Sequence, residues 1–166
     1  MATVLNVSAR LQVLANLQAT SPHTGSVIEE FVNSTGGRQW VQGTTSGAAD
    51  RVYHKSGTLS AAAVDSYNTL AAGSLLDVFA QAIDLDELKG IGVKCLTGSI
   101  KIEAPASAFI PIFTDATDLL NIPLGATFFM DFGAIGLDVT SGSKFDITDL
   151  AGGSGSTYEL IFWGAQ

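Results

Sequence analysis

The chain has little of what most chemistry requires. Among 166 residues there are one cysteine and two histidines, and Lys and Arg together number 8 against 16 Asp and Glu. The lone Cys95 cannot close an internal disulfide, and on an apolar strand face it is expected to be a small buried hydrophobe rather than a reactive thiol. Basic residues scattered singly in a chain of net charge −8 exclude the clustered cations that a phosphate backbone demands, so nucleic acid is not an expected partner. No apolar run reaches the roughly 18 residues of a membrane-spanning helix. The N-terminus has neither the basic start nor the continuous apolar stretch of a secretory signal. The expectation is a soluble, uncleaved chain with no membrane partner. Asn6-Val7-Ser8 and Asn33-Ser34-Thr35 match the glycosylation triplet, but without a secretory signal the match carries no weight.

Charge is scarce as well. Charged residues make up 14% and hydrophobic residues 46%, with a mean hydropathy of +0.32, whereas soluble domains usually carry about 25% charged residues. A chain of this length forms one domain, or one domain with an arm, and a small domain cannot bury most of its own surface. Part of that surface is therefore expected to be covered by other chains.

Enzymatic signatures are missing in the same way. Serine-type hydrolysis needs a nucleophile, a histidine base and an orienting acid. Here His23 sits beside a proline in a turn, His54 lies within a strand, and no serine occupies a Gly-x-Ser-x-Gly elbow. Gly90-Ile91-Gly92-Val93-Lys94-Cys95 begins like a phosphate-binding loop but lacks the last glycine and sits inside a strand. Gly152 to Ser156 reads as a flexible hairpin loop. Asp84, Asp86 and Glu87, and the loop acids Asp115 and Asp118, have neither the spacing of a calcium loop nor a demonstrable cleft, so solvated loop acids are the default. No residue is assigned a catalytic, cofactor-binding or metal-ligating role, and no cofactor is expected.

What the chain does have is strand periodicity. In Leu88 to Ala104, Ile91, Val93 and Cys95 occupy alternate positions, as do Ile100 and Ile102 after Thr97-Gly98-Ser99, which predicts a β-hairpin. The apolar run Tyr158 to Trp163 is the candidate second layer over that hairpin. Thr3 to Val13 alternates as a strand, Val27 to Val32 is a possible second strand, and Arg38 to Gly47 is loop-like around Trp40. Ala48 to Leu59 and Val64 to Leu70 read as strands, with Val52 and His54 on one face and Tyr53 on the other. Leu75, Leu76, Phe79 and Ile83 suit a short helical turn or a wide connection. Ala108 to Phe113, broken by Pro111, suits an edge strand or bulge. Thr127 to Phe132, Ile135 to Val139, Phe145 to Leu150 and Tyr158 to Trp163 complete an all-β antiparallel sandwich. The expected division is an N-terminal strand or arm over residues 1–25, packed on the domain or on a neighbour, and a β-sandwich over residues 26–166.

Ala49-Asp50-Arg51-Val52-Tyr53, the Thr58 strand, Leu75-Leu76-Asp77-Val78-Phe79 and Leu88-Lys89-Gly90-Ile91-Gly92-Val93-Lys94 together resemble a family of small structural proteins of tailed bacteriophages. So do Asn121 to Gly125, Gly136 to Lys144 and Tyr158 to Gly164, and the resemblance runs from about Ala48 to the end. It implies a jelly-roll-like sandwich and a non-enzymatic role as a capsid decoration, or cement, protein on the outer face of a virion. The major capsid protein would be its partner, together with copies of itself such as a homotrimer. A tail, fibre or baseplate component is the alternative within that setting. Outside it stands a carbohydrate-binding module, for which Trp40, Tyr53 and Tyr67 would be the contact residues.

Overall fold

Alternation along the last strand shows how the molecule is layered. Tyr158, Leu160 and Phe162 are fully buried in the main core, while the intervening Glu159 and Ile161 are exposed. The computed structural model describes residues 6–8, 39–42, 44–70, 75–76, 82–150, 152 and 154–166. Among them there are strands and turns and no helix.

The first sheet is antiparallel. It is built on β12 (Ser156–Ala165), which lies between β4 (Arg51–Leu59) and β6 (Glu87–Thr97). On its far side β6 pairs with β9 (Thr127–Asp131) and, at its start, with the short β10 (Leu137–Asp138). The second sheet, also antiparallel, runs in the order β5 (Val64–Asn68), β11 (Lys144–Asp149), β7 (Ser99–Glu103), β8 (Leu119–Pro123). A third, N-terminal sheet joins β1 (Asn6–Ser8) antiparallel to β2 (Gln39–Gln42), and β2 parallel to β3 (Ala48–Ala49). Of the arm expected over residues 1–25 only Asn6–Ser8 is described, and the Val27 to Val32 segment lies outside the described residues.

The two larger sheets face each other across one core, making the all-β antiparallel sandwich. Ile91 and Val93 on β6, with Leu160 and Phe162 on β12, meet Ile100 and Ile102 on β7, with Phe145 and Ile147 on β11. A chain of aromatic rings links the layers: Tyr53 stacks on Phe162 at 4.8 Å, Phe162 meets Phe145 edge-on at 6.2 Å, and Phe145 stacks on Tyr67 at 5.1 Å. Offset and edge-on contacts at these spacings add to area burial.

Leu88 to Ala104 is not a hairpin. β6 and β7 belong to different sheets, so Thr97-Gly98-Ser99 is a corner at which the chain crosses from one layer to the other. Gly98 takes a left-handed φ of 72° there, a conformation that costs glycine nothing. The Ser156 hydroxyl pins the corner, accepting from Ser99 N at 3.1 Å and lying 3.0 Å from the Ser99 carbonyl. Tyr158 to Trp163 likewise is not the covering layer but the middle of the same sheet as β6. The covering layer is supplied by β7 and β11.

Two segments read as strands are mostly loop. In Ala108 to Phe113 only Phe109 forms a bridge, to Lys144, and Ala108 has a φ of 56°. Ile135 to Val139 reduces to the two residues of β10. Leu75 and Ile83 belong to the wide connection: a Leu76–Ala82 bridge and an Ile83 N to Leu75 O bond of 2.9 Å close its base, and Phe79 lies outside the described residues.

Candidate functional site

In an antiparallel sheet, residues in register on neighbouring strands point to the same face. On the outward side of the first sheet, register therefore sets side chains from β4, β12, β6 and β9 in rows. The first row is Ser56, Glu159, Lys94 and Thr127. The second is His54, Ile161, Gly92 and Phe129. The third is Val52, Trp163, Gly90 and Asp131.

Glycine makes this surface concave. A Cβ on Gly90 would sit 2.2 Å from the Trp163 ring, so the indole lies in the space that Gly90 leaves, and Trp163 is buried although it points away from the main core. Trp163 forms a second, smaller cluster with Ala49 and Val52, and stacks with Phe129 at 5.8 Å between ring centres. One step along, Gly92 separates Ile161 from Phe129, and a Cβ there would lie 3.2 Å from Ile161. The result is a groove of about 340 Å³ with Gly92, Ile161, Phe129 and Trp163 among its apolar lining. His54, Lys94, Thr127 and Glu159 stand around it. An apolar floor with few polar groups at its rim is the usual character of a binding surface.

The other candidates are accounted for structurally. Gly90 to Cys95 forms the middle of β6, so its glycines serve side-chain packing and not phosphate. Cys95 is fully buried, as expected, and its thiol donates to Thr97 O at 3.4 Å; burial pushes that thiol up from its ordinary range. Asp118 accepts from Thr114 N at 2.7 Å and Asp115 N at 3.0 Å, and Asp115 accepts from Thr117 N at 2.8 Å. The Thr117 hydroxyl donates to Asp115 and the Thr114 hydroxyl to Asp118, each at 2.8 Å, and together with the backbone bonds these hold both carboxyls below the ordinary range and tie the turn together. No cluster suited to a metal ion occurs among the described residues. Glu87 pairs with the fully buried Lys89, whose ammonium also donates to Ala134 O at 3.1 Å and Ile135 O at 2.5 Å, anchoring that loop to β6.

Of the three aromatic residues considered for sugar contact, Tyr67 is buried, and Tyr53 is partly buried with its ring stacked on Phe162. Trp40 lies in β2 opposite Val7, and its side chain is outside the described residues. His54 is exposed, on the same face as Val52 and opposite in direction to Tyr53, as its strand position predicts.

A separate polar cluster closes the flank where side chains of β4, β5 and β12 meet. Asp65 Oδ2 accepts from Lys55 Nζ at 2.9 Å and from the Tyr158 hydroxyl, which also bonds the Tyr67 hydroxyl. Burial alone would raise the Asp65 carboxyl, but the Tyr158 and Lys55 hydrogen bonds and the Lys55 charge outweigh it and hold the group below its ordinary value. The Tyr158 phenol is pushed far upward by burial and by its bonds to Asp65 and Tyr67. Such a phenol stays protonated and acts as a fixed donor, so the cluster fastens two sheets rather than moving protons.

No protein-family model and no curated protein matches the chain.

Proposed function

We propose that this chain is a non-enzymatic virion structural protein, a capsid decoration protein that lays the outward face of its first sheet against a shell built by another protein. The observation that carries the reading is the apolar groove around Ile161, Gly92 and Phe129, backed by a Trp163 that packs outside the main core. An apolar centre with a polar rim is how interfaces concentrate their binding energy. Lys94 and Glu159 give the rim one charge of each sign, so the complementary surface is an apolar patch with charges of both signs at its edge.

The strand order also supports it. Taking the eight longer strands β4 to β9, β11 and β12 in chain order, the first pairs with the eighth, the eighth with the third and the third with the sixth. The second pairs with the seventh, the seventh with the fourth and the fourth with the fifth. This nesting supports the jelly-roll-like reading of the sandwich, an architecture that viral capsid domains share with lectins and cupins. Fold alone does not choose among those roles. The virion setting comes from the sequence resemblance, and decoration is favoured because burial repeated over a lattice stabilises a shell without any single strong contact.

The test is to count the chain in purified particles by quantitative mass spectrometry and to measure binding to shells that lack it. A copy number in simple proportion to the major capsid protein, with binding abolished by Ile161→Glu while the chain stays folded, is the expected result. Ile161 is 38% exposed, so the variant should cost the fold less than the roughly 2–5 kcal/mol of truncating a fully buried isoleucine. A low copy number confined to the tail would replace decoration with a tail role.

A further inference from the structure

Among the described residues the two sandwich sheets end in five strands: β4 on one side of the first sheet, β9 and the two-residue β10 on the other, and β5 and β8 on the second sheet. Four of them carry charge: β4 has Arg51 and Lys55, β5 has Asp65, β9 has Asp131 and β10 has Asp138. Charged side chains on an edge are the usual means of preventing another chain from adding to it. β8, Leu119-Leu120-Asn121-Ile122-Pro123, has none. Leu119 is 50% exposed and Leu124, just past its end, 64%.

The free backbone groups of β8 follow from its ladder. Ala104 N donates to Asp118 O at 3.0 Å, and Leu150 N donates to Ser99 O at 2.8 Å on the opposite side of β7. Antiparallel pairs alternate between bonded and non-bonded, so in the β7–β8 register Ile102–Leu120 and Ile100–Ile122 are the bonded pairs. The backbone groups of Leu119 and Asn121, and the Pro123 carbonyl, therefore point away from β7. Their side chains share the outer face with Lys101 and Glu103, while Ile122 is buried in the core.

We propose that β8 is a self-association edge, at which a second copy of this chain adds its own β8 antiparallel and joins two second sheets into one. Centred on Asn121, the register sets Asn121 against its own copy, Leu119 against Pro123 and Leu120 against Ile122. Asn121 then exchanges both backbone bonds with its counterpart, and Leu119 N–H meets the Pro123 carbonyl. Proline, which lacks a donor, falls at the end of this ladder, where it does least harm. Identity of the occupant follows from two features. An antiparallel pairing of like strands is isologous and closes on itself. A chain of net charge −8 repels its own copies except where it presents an uncharged, apolar patch. Screening that repulsion strengthens association, so the dimer should tighten as salt is raised.

The test uses the full chain. Sedimentation equilibrium should show a monomer–dimer equilibrium whose dissociation constant falls with added salt. Asn121→Pro removes an outward donor that no other described strand uses, and should weaken the dimer at least about tenfold while leaving the melting temperature of the monomer near that of the parent. Asn121→Cys provides a reading that does not depend on how well the proline variant folds. Directly opposed bonded residues have Cα atoms about 5.5 Å apart, within disulfide reach. Mild oxidation should therefore give a covalent dimer, and the buried Cys95 should give none in the parent. A parent that stays monomeric at all concentrations, a trimer indifferent to Asn121→Pro, or an Asn121→Cys chain that does not cross-link would each overturn the proposal.

Discussion

The two outward faces of the sandwich are built on opposite plans. On the first sheet the outward positions of β6 include Gly90 and Gly92, and the neighbouring strand fills or flanks the space with Trp163 and Ile161. On the second sheet the outward positions of β7 and β11 include Lys101, Glu103, Asp146 and Thr148. There the Lys101 ammonium pairs with Glu103, which also accepts from the Thr148 hydroxyl. Both sheets spend their inward positions on one core, so the core does not explain the difference. Trp163 is covered by the chain's own Ala49, Val52 and Phe129, and the groove beside it is what the proposed docking of this face rests on, while the second face carries the side chains of a surface that meets water.

The largest effects should come from removing what makes the first face distinctive. Trp163→Ala deletes a fully buried ring from the outer cluster, and such truncations cost about 3–5 kcal/mol. Gly90→Ala places a Cβ where the indole now lies, 2.2 Å from its nearest atom, and overpacking of this kind costs about 1–3 kcal/mol. Chemical denaturation of both variants checks the order. If either is neutral, the outer cluster is not a second core and the contrast between the faces collapses.

The seam between the sheets sharpens the comparison, since there polar bonds are added to the packing of the buried Tyr67 and Tyr158. Asp65→Asn keeps the shape and removes the charge that receives Lys55 and Tyr158; a bond to a charged partner contributes about 1.5–3 kcal/mol, and the amide should retain part of it. The folded carboxyl is held below its ordinary value of 3.8. Its contribution is therefore fully present above that value and is lost as pH falls through the lower, folded one. The parent chain should lose stability between neutral pH and strong acid by more than the asparagine variant does, and parallel unfolding curves against pH would remove the seam from the account.

Much of the layering was legible in the chain itself. Alternation put Ile91, Val93 and Cys95 on one side of a strand and Ile100 and Ile102 on one side of the next, and all five are buried. It also separated His54 from Tyr53 correctly. What alternation does not carry is partnership. A hairpin within one sheet and a corner between two sheets both bring two apolar faces toward a common core, so Thr97-Gly98-Ser99 reads the same either way. The choice is made by β12 and β11, both far downstream in the chain, which take the bonding edges of β6 and β7 respectively. The groove was hidden for the same reason, because residues 54, 92, 129 and 161 become neighbours only through register. The available signal was Gly90-Ile91-Gly92-Val93, glycine at successive outward positions of a strand, which is better read as room for a neighbour's side chain than as a fragment of a phosphate loop.

The smallest expected effect tests the other half of the contrast. Burial works to raise the Glu103 carboxyl, and its bonds with Lys101 and Thr148 overcome this and hold it below the ordinary range. Both members of the Lys101–Glu103 pair keep about a fifth of their side-chain surface in water, 22% and 23%. Pairs so placed contribute about 0–1 kcal/mol after screening and side-chain ordering. Lys101→Ala should thus shift the unfolding midpoint only slightly, and it should leave shell binding unchanged, because Lys101 projects from the face opposite the groove. A loss of binding in this variant, with stability intact, would mean that the polar face also meets a partner, and the assignment of one role to each face would have to be abandoned.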